Sequence, residues 1–354
     1  MAEVHAQSGA PQSGITGGRR LQEVDVLRGL AALTVTLGHY IPFWDRYIGE
    51  IPVIVPNAAG NYSVRLFYAI SGLVIFLTLE KCHNVRDFAA LRFSRLYPTY
   101  WITLVAATLV GVLGFGDPFW LTGFVANLSM FQVFVGVSNF DNVYWSLAVE
   151  LAFYLNVAWL FAVGLHRYPL HCVAGWLCLS AAWVMLADGV RAPDRDWFAI
   201  FTAADYAPYF AIGILFYRAH GRRWNAWEGA IVALALMVEF LIAGWEGLAV
   251  GAGVLALMYL AVSGHLSFMV GRVTLWLGSI SYALYLIHRN IGYHVLQWLG
   301  DHHMDPVSAI VLTTAGALLL ATLVTQCVER PASRFLRQRY RALTASRDRA
   351  LVSS

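Results

Sequence analysis

The sequence predicts an all-α polytopic membrane protein. Two observations carry this prediction: 59% of the 354 residues are hydrophobic while only 13% are charged, and the apolar residues fall into repeated long runs. A soluble globular chain carries about 25% charged residues, and a helix needs about 20 mostly apolar residues to cross roughly 30 Å of hydrocarbon. The composition therefore excludes nucleic-acid binders, disulfide-stapled secreted domains and disordered chains.

Ten of the apolar runs are long enough to be transmembrane helices. In chain order they cover residues 24–44, 63–80, 96–115, 144–164, 170–187, 199–217, 228–244, 247–264, 274–292 and 306–328. One further apolar run, 119–136, is ambiguous by length and composition alone.

The distribution of basic residues decides how the run at 119–136 is placed, because short cytoplasmic loops are rich in Lys and Arg. If this run does not cross, the basic clusters within 81–95 and 218–223 share one face with Arg19, Arg20 and the Arg-rich C-terminal tail. The opposite face then holds Arg46, Arg65, Arg191, Arg195 and Arg289. We therefore expect about ten crossings, a re-entrant or interfacial segment near 119–136, and cytoplasmic N- and C-termini.

Little of the chain lies outside these runs. The expected organisation is a cytoplasmic tail at 1–22, a transmembrane domain at 23–328 and a basic cytoplasmic tail at 329–354. Because such short tails and loops do not bury a core of their own, any chemistry is expected inside the membrane body or at its mouths.

The first candidate motif, LRGLAALTVTLGHY, holds Arg28 and His39. Eleven helical steps bring the two side chains to within about 20° of one face and place them ~16 Å apart along the axis. Ionisable side chains inside a span are costly and usually face a cavity or a partner. A snorkelling arginine with an interfacial histidine is the structural alternative, and the alignment of the pair favours a functional role.

The second motif is the arginine pair Arg92 and Arg95, expected in the inner loop before the third span, with Pro98 in the first turn of the next helix. Arginines at i and i+3 share a helix face and can grip a phosphate bidentately. Ordinary enrichment of positive charge in cytoplasmic loops also explains the arginine pair, and the spacing alone favours that explanation.

The third motif, at residues 144–150, begins the fourth span and contains Trp145, Ser146 and Glu150. Ser146 and Glu150 share a face at i, i+4. At this depth Glu150 matches His39, so it is a candidate to orient that histidine and to stabilise its charged form. A structural ion pair and a protonated buried acid are the alternatives.

The fourth motif is a polar stripe in the ninth span formed by Ser281, Tyr285 and His288. The spacing of i, i+4, i+7 puts these three side chains on one face of an otherwise apolar helix. Such a stripe either lines a cavity or makes hydrogen bonds between helices. With Ser146 and Trp145, Tyr285 and His288 are candidate substrate-binding residues.

Taken together, these motifs resemble the acyltransferase-3 family of integral-membrane acyltransferases. The first motif resembles the family's first helix, in which ten residues separate a basic residue from a histidine. LFYAISGLVIFL (66–77), RFSRLYPTYW (92–101), YWSLAVELAFY (144–154), GSISYALYLIH (278–288) and VERP (328–331) resemble later segments, in family order. The resemblance covers residues 21 to about 335. One departure is the lack of a second acid beside Glu150.

The resemblance implies transfer of an acyl group, usually acetyl, from cytoplasmic acyl-CoA to a hydroxyl of a glycan, a lipid-linked sugar or a small metabolite. Arg28, Arg92 and Arg95 would bind the phosphates of CoA, and His39 would act as general base or as an acyl relay. The implied setting is the inner membrane of a bacterium, with acyl-CoA, a carbohydrate or glycolipid acceptor and the lipid bilayer as partners.

Neither a resident cofactor, a metal nor a nucleic acid is expected, and the oligomeric state is left open. Two functions from other classes fit the same pattern of spans. One is a transporter or flippase for a lipid-linked sugar, since polar stripes on apolar helices also describe carriers. The other is a non-catalytic partner of a polysaccharide-synthesis complex.

Overall fold

The computed structural model describes residues 21–51, 58–186, 197–219 and 222–352, and every regular element in these ranges is helical. Arg19, Arg20, Arg191 and Arg195, used above to assign faces, lie outside the described residues, as does most of the expected tail at 1–22. In chain order the described helices are α1 (Gln22–Tyr47), α2 (Ala58–Leu79), α3 (Val85–Leu109), α4 (Leu121–Leu128), α5 (Tyr144–Ala162), α6 (Pro169–Leu186), α7 (Trp197–Thr202), α8 (Ala207–Arg218), α9 (Ala226–Val262), α10 (Arg272–Ile287), α11 (Asn290–Asp301), α12 (Pro306–Val324) and α13 (Arg330–Val352).

Seven helical stretches of the described chain are long and apolar enough to cross a membrane. They are Gln22–Tyr47, Tyr62–Leu79, Val85–Gly114, Tyr144–Ala162, Pro169–Leu186, Ala226–Val262 and Pro306–Thr344. The predicted all-α, multi-pass fold class is therefore confirmed. The count of about ten crossings and the cytoplasmic position of both termini remain predictions.

The difference between seven and ten comes from interruptions within the apolar runs. The run at 199–217 is divided between α7 and α8 by a turn at Ala203, whose φ is +50°. The run at 274–292 is divided between α10, with 16 residues, and α11. Two predicted spans are joined in α9, which nevertheless changes direction inside its length.

The break in α9 lies at Gly244, where φ is +61° and ψ is −147°, a conformation that glycine adopts without steric cost. The two halves then pack on one another: a methyl group added at Gly247 would sit 2.4 Å from the carbonyl oxygen of Glu239. One added at Gly251 would sit 3.2 Å from the side chain of Leu236. The halves of α9 therefore form a hairpin and match the predicted runs 228–244 and 247–264.

The ambiguous run at 119–136 contains only the eight-residue helix α4 and a 3₁₀ turn at Gln132–Val135. Eight residues span about 12 Å, too little to cross a bilayer. Side chains of α3 satisfy the carbonyl groups at the end of α4: Tyr100 donates to Asn127 at 2.8 Å and Trp101 donates to Leu128 at 2.8 Å. This irregular backbone is thus hydrogen-bonded by protein groups, as a membrane environment requires.

The arginine pair lies inside α3, which corrects the prediction of a loop. The helix begins after Asn84, whose side chain accepts a hydrogen bond from the Asp87 amide and thereby caps the helix. Pro98 is therefore inside the helix and not in its first turn. Since proline has no N–H, the carbonyl of Ser94 loses its helical partner, and the Ser333 hydroxyl of α13 donates to it at 2.5 Å.

Two glycines, Gly213 and Gly278, allow helices of the bundle to approach closely. A methyl group at Gly213 of α8 would sit 2.0 Å from the Ala69 carbonyl oxygen of α2. A methyl group at Gly278 of α10 would sit 2.3 Å from the Asp25 carbonyl oxygen of α1. Small residues of this kind let helix backbones touch in membranes, and the second contact brings α10 next to the start of α1.

Replacing Gly213 with alanine is expected to destabilise the bundle, because the new methyl group meets backbone atoms that do not move freely. Overpacking of this kind costs about 1–3 kcal/mol. We expect the thermal unfolding midpoint of Gly213→Ala in detergent to fall by several degrees. Gly316→Ala is the matched control, since nothing lies within 4 Å of its added methyl group. Equal midpoints for the two variants would contradict the proposed close packing.

Candidate active site

Arg28 is held against α10 by the close approach of α1 and α10. Its Nε donates to the Ser281 hydroxyl at 3.0 Å, and its Nη2 donates to the Gly278 carbonyl at 2.9 Å. Its Nη2 also lies 3.0 Å from a carboxylate oxygen of Asp25, one turn earlier on α1. The guanidinium group is thus fixed in position between two helices, and Ser281 of the predicted polar stripe is one of the groups that fix it.

Arg92 and Arg95 point from α3 toward the same region but have different partners. Arg95 forms an ion pair with Glu329, which lies in the π-helical turn between α12 and α13. Arg92 donates from Nη2 to the Thr78 hydroxyl at 2.9 Å, while its buried Nε has no hydrogen-bond partner within the described ranges. Of the contacts that the structure describes for Arg92, none is an ion pair.

All three guanidinium groups line one cavity of about 140 Å³ between α1, α2, α3, α5 and α10, which we call the arginine cavity. Apolar side chains of α2, α3 and α5 form much of its wall. The other polar side chains around it are Glu150 and a set of hydroxyl-bearing residues: Tyr68, Ser71, Ser146, Tyr154, Ser281, Tyr282 and Tyr285. The structure thus brings together the predicted residues Arg28, Arg92, Arg95, Ser146, Glu150 and Tyr285.

Glu150 takes its hydrogen bonds from the arginine cavity and not from His39. Its carboxylate accepts from the Ser71 hydroxyl of α2 and, at 2.5 Å, from the hydroxyl of Tyr154 one turn further along α5. The expected pairing of Glu150 with His39 is therefore not the arrangement found. Similar depth along two helices does not fix the direction in which their side chains point, and Glu150 faces α2.

His39 instead contacts His288, at the end of α10. The Nδ1 atom of His39 lies 2.9 Å from the Val35 carbonyl and 3.3 Å from the Nε2 atom of His288. His288 is fully buried, and its Nδ1 lies 2.8 Å from the Tyr285 carbonyl. The two imidazole ring centroids are 5.0 Å apart.

These contacts define which nitrogen of each imidazole carries a proton. A carbonyl oxygen accepts and never donates, so both Nδ1 atoms carry hydrogen when the rings are neutral. His39 then shares its Nδ1–H between Val35 and His288, and its Nε2 keeps a lone pair. Since Nε2 of His39 has no hydrogen-bond partner among the described residues, it is the nitrogen available for chemistry.

A buried carboxylate that the sequence analysis missed fixes the region around His288. Asp141, in the loop before α5, accepts from the Arg289 guanidinium at 3.1 Å and from the backbone N–H of Asn290 at 3.0 Å. It thereby caps the first turn of α11. Its signal in the sequence was weak, because Asp141 precedes the motif at 144–150 and belongs to an ordinary polar loop.

Tyr285 stands between the arginine cavity and the histidine pair. Its hydroxyl lies 2.6 Å from the hydroxyl of Ser146, and its ring centroid is 5.6 Å from that of His288. His39, His288 and Trp145 are not among the residues that line the cavity. A ligand that fills the arginine cavity would therefore meet the Tyr285–Ser146 pair before it reached the imidazoles.

Trp145 packs against Tyr206, with ring centroids 5.6 Å apart. Within the described ranges, no group of three or more His, Cys, Asp and Glu side chains is placed to hold a metal ion. The chemistry available at this site consists of a basic cavity suited to an anion and an imidazole nitrogen suited to removing a proton or attacking a carbonyl carbon.

Comparisons with known proteins point to acyl transfer. A family model described as an acyltransferase domain matches residues 21–326. The acyltransferase MdmB of Streptomyces mycarofaciens is 25% identical over 377 residues, covering 92% of this chain and 95% of that protein. ORF330 of Acidianus two-tailed virus, whose name describes a candidate acetyltransferase, is 21% identical over 278 residues, covering 74% of this chain and 80% of that protein. No solved structure matches the chain significantly.

Removing the carboxylate of Asp141 is expected to destabilise the protein strongly. The side chain is fully buried and its loss leaves Arg289 without its ion-pair partner, a change that costs about 3–5 kcal/mol. We expect Asp141→Ala to lower the free energy of unfolding, measured by titration with SDS in mixed micelles, by that amount.

The control for this variant is Asp301→Ala, which removes an exposed carboxylate that accepts a hydrogen bond from Gln297 on the surface of α11. A surface substitution of this kind changes stability by about 0.5 kcal/mol or less. If both variants unfolded at the same SDS fraction, Asp141 would not have the structural role described.

Proposed function

Because the chain belongs to the acyltransferase-3 family, we propose that it moves an acyl group, usually acetyl, from acyl-CoA to a hydroxyl group of a glycan, a lipid-linked sugar or a small metabolite. The observation that carries this proposal is the arginine cavity, where three guanidinium groups line one space together with Tyr285. The Tyr285 ring centroid lies 5.6 Å from that of His288, the imidazole that contacts His39. We place the protein, as a multi-pass membrane protein, in the inner membrane of a bacterium, with the arginine side facing the cytoplasm.

The charge and the apolar wall of the arginine cavity suit acyl-CoA. Guanidinium forks match phosphate oxygens, and Arg92 has no ion-pair partner among its described contacts, so it has hydrogen-bonding capacity for an anion. Arg28 and Arg95 are already held by Asp25 and Glu329, so they add fixed positive charge to the wall. The apolar side chains of the cavity suit the slim pantetheine arm, which would carry the thioester toward Ser146 and Tyr285.

In the direct mechanism, Nε2 of His39 removes the proton of the acceptor hydroxyl as its oxygen attacks the thioester carbonyl carbon. The C–S bond then breaks, and the thiolate of CoA takes the proton back from the imidazolium. The hydroxyls of Ser146 and Tyr285 lie at the end of the cavity and are suited to donate to the carbonyl oxygen as it becomes negative.

In the relay mechanism, Nε2 of His39 attacks the thioester carbonyl carbon itself, the C–S bond breaks, and CoA leaves as its thiolate. The oxygen of the acceptor hydroxyl then takes the acyl group from the imidazole, whose C–N bond breaks, and the hydroxyl proton ends on the thiolate of CoA. His288 supports either route, since its Nε2 accepts part of the Nδ1–H of His39 and stabilises the ring when it becomes positive. Glu150, with its hydrogen bonds to Ser71 and Tyr154, is part of the wall of the arginine cavity in both routes.

Arg92→Ala is the sharpest test of donor binding. Removing Arg95 would strand the buried carboxylate of Glu329, whereas removing Arg92 leaves no carboxylate without its partner. A hydrogen bond to a charged group is worth about 1.5–3 kcal/mol, so we expect the affinity for acetyl-CoA to fall roughly tenfold or more. Isothermal titration calorimetry of the purified protein in nanodiscs measures this change.

Arg86→Ala is the matched control, since it removes the same charge from an exposed position on the same helix, one that does not line the cavity. We expect its affinity for acetyl-CoA to stay within about twofold of the wild-type value, since its charge lies in solvent and is screened. If both variants lost the same affinity for acetyl-CoA, Arg92 would act only through its positive charge and not through a specific contact with the donor.

His39→Ala separates catalysis from donor binding. General base catalysis contributes about 10²–10⁴-fold, so transfer of radiolabel from acetyl-CoA to the acceptor should fall by at least about 100-fold while acetyl-CoA affinity is unchanged. His265→Ala, which removes an exposed imidazole, should retain wild-type transfer.

The same assay distinguishes an enzyme from the other classes considered. An acyltransferase consumes labelled acetyl-CoA and labels an acceptor, whereas a flippase or a non-catalytic partner of a synthesis complex leaves the label on CoA. Wild-type transfer by His39→Ala would overturn the proposed role of this imidazole.

A further inference from the structure

A second group of buried polar side chains lies apart from both the arginine cavity and the histidine pair. It is formed near the beginnings of α2 and α8 and near the break in α9, and we call it the Arg65–Glu239 cluster. Its members are Arg65, Tyr209 and Glu239, with Tyr62 and Tyr206 beside them. None of these residues has a role in the mechanism above.

The cluster contains one buried hydrogen-bond acceptor and one buried donor that are both unused. Glu239 is 1% exposed; its Oε2 accepts from the Tyr209 hydroxyl at 2.6 Å, but its Oε1 has no partner among the described residues. Arg65 has a buried Nη1 that likewise has no partner in the described part of the chain. Of the contacts that the structure describes for Arg65, none is an ion pair.

The unused donor and the unused acceptor belong to residues that both contact Tyr209. The guanidinium carbon of Arg65 lies 5.7 Å from the centre of the Tyr209 ring, and the hydroxyl of that same ring bonds to Glu239. A buried polar atom without a partner costs about 1–3 kcal/mol. Two such atoms around one ring indicate that another group completes the cluster.

A hydroxyl group has the chemistry to satisfy both atoms, because it accepts one hydrogen bond and donates another. It would accept from Nη1 of Arg65 and donate to Oε1 of Glu239. A carboxylate or phosphate would be repelled by Glu239, and an ammonium group by Arg65. The chemistry of the cluster therefore selects a neutral, hydroxyl-bearing ligand.

Aromatic rings connect the cluster to the arginine cavity. Tyr206 packs against Trp145 with ring centroids 5.6 Å apart, and against Tyr68 with centroids 4.8 Å apart. Tyr68 in turn lines the arginine cavity beside Ser146. Aromatic side chains with polar tips offer an apolar face together with hydrogen-bonding groups, which suits the alternating C–H and O–H groups of a sugar ring.

We propose that the Arg65–Glu239 cluster binds the acyl acceptor, a sugar whose hydroxyl group bridges Arg65 and Glu239 while its ring lies against Trp145 and Tyr206. This inference rests on the proposed function, since it places the second substrate of the same reaction. The acyl donor, acyl-CoA, would bind in the arginine cavity, so the affinities for the two substrates should depend on different residues.

The test measures the two substrates separately. Protein in nanodiscs is incubated with [¹⁴C]acetyl-CoA and with membrane extract of the producing cells, divided into a lipid-soluble and an aqueous glycan fraction. In Glu239→Gln, the Tyr209 hydroxyl still has an oxygen to donate to. The second carboxylate oxygen, Oε1, is replaced by an amide NH₂ group, which donates hydrogen bonds and does not accept them. Loss of a hydrogen bond to a charged group costs about 1.5–3 kcal/mol, so the half-saturating amount of extract should rise roughly tenfold or more, with that of acetyl-CoA unchanged.

Arg65→Lys is the second variant, since it keeps the positive charge but removes the guanidinium fork, and it should raise the half-saturating amount of extract in the same way. Asp301→Asn is the matched control: it changes an exposed carboxylate of α11 that accepts from Gln297, and it should leave both half-saturation values unchanged. Labelling of the lipid-soluble fraction identifies a lipid-linked sugar, and labelling of the aqueous fraction a soluble glycan.

Wild-type half-saturation by extract in both Glu239→Gln and Arg65→Lys would overturn the acceptor site while leaving the enzyme intact. An equal loss of affinity for acetyl-CoA and for extract would also overturn it, because that result shows a purely structural role. If the wild-type protein labelled neither fraction, the proposed acyl transfer itself would fail, and this outcome is recognised before any variant is compared.

Discussion

The structure depends on one electrostatic constraint: a guanidinium group inside a lipid-embedded helix bundle needs protein groups to hydrogen-bond and neutralise it. Arg28 is satisfied by Asp25 on its own helix and by Ser281 on α10, and Arg95 is satisfied by Glu329. These requirements determine which helices meet around the cavity. Arg92 differs from both, because its buried Nε has no hydrogen-bond partner among the described residues.

The C-terminal part of the chain supplies two of the groups that hold the site together, although it lies beyond the family match that ends at residue 326. Glu329 neutralises Arg95, and Ser333 donates to the Ser94 carbonyl that Pro98 leaves without a helical partner. Both contacts act on the segment of α3 that carries the arginine pair. The expected basic tail is therefore a helix packed against the site, and its first turn holds that site in shape.

Helical periodicity correctly predicted which side chains share a face of one helix. It did not predict which neighbouring helix such a face contacts. The shared face of Arg28 and His39 followed from helical geometry, and both side chains do face α10. The placement of Glu150 did not follow, because the contact of α5 with α2 is a property of packing that one sequence does not state. The start of α3 was misjudged for a similar reason, since Arg92 and Arg95 resemble a loop until the cap at Asn84 and the partner at Glu329 are known.

The Arg95–Glu329 pair also orders the events of biosynthesis. The two residues are 234 positions apart, and ribosomes add about 5–20 residues each second, so roughly 10–50 s pass between their appearances. During that interval α3 reaches the bilayer with a cation that has not met its counter-ion. The translocon or the headgroup region must accommodate it until Glu329 has been synthesised, so the arginine cavity takes its final form only after that residue arrives.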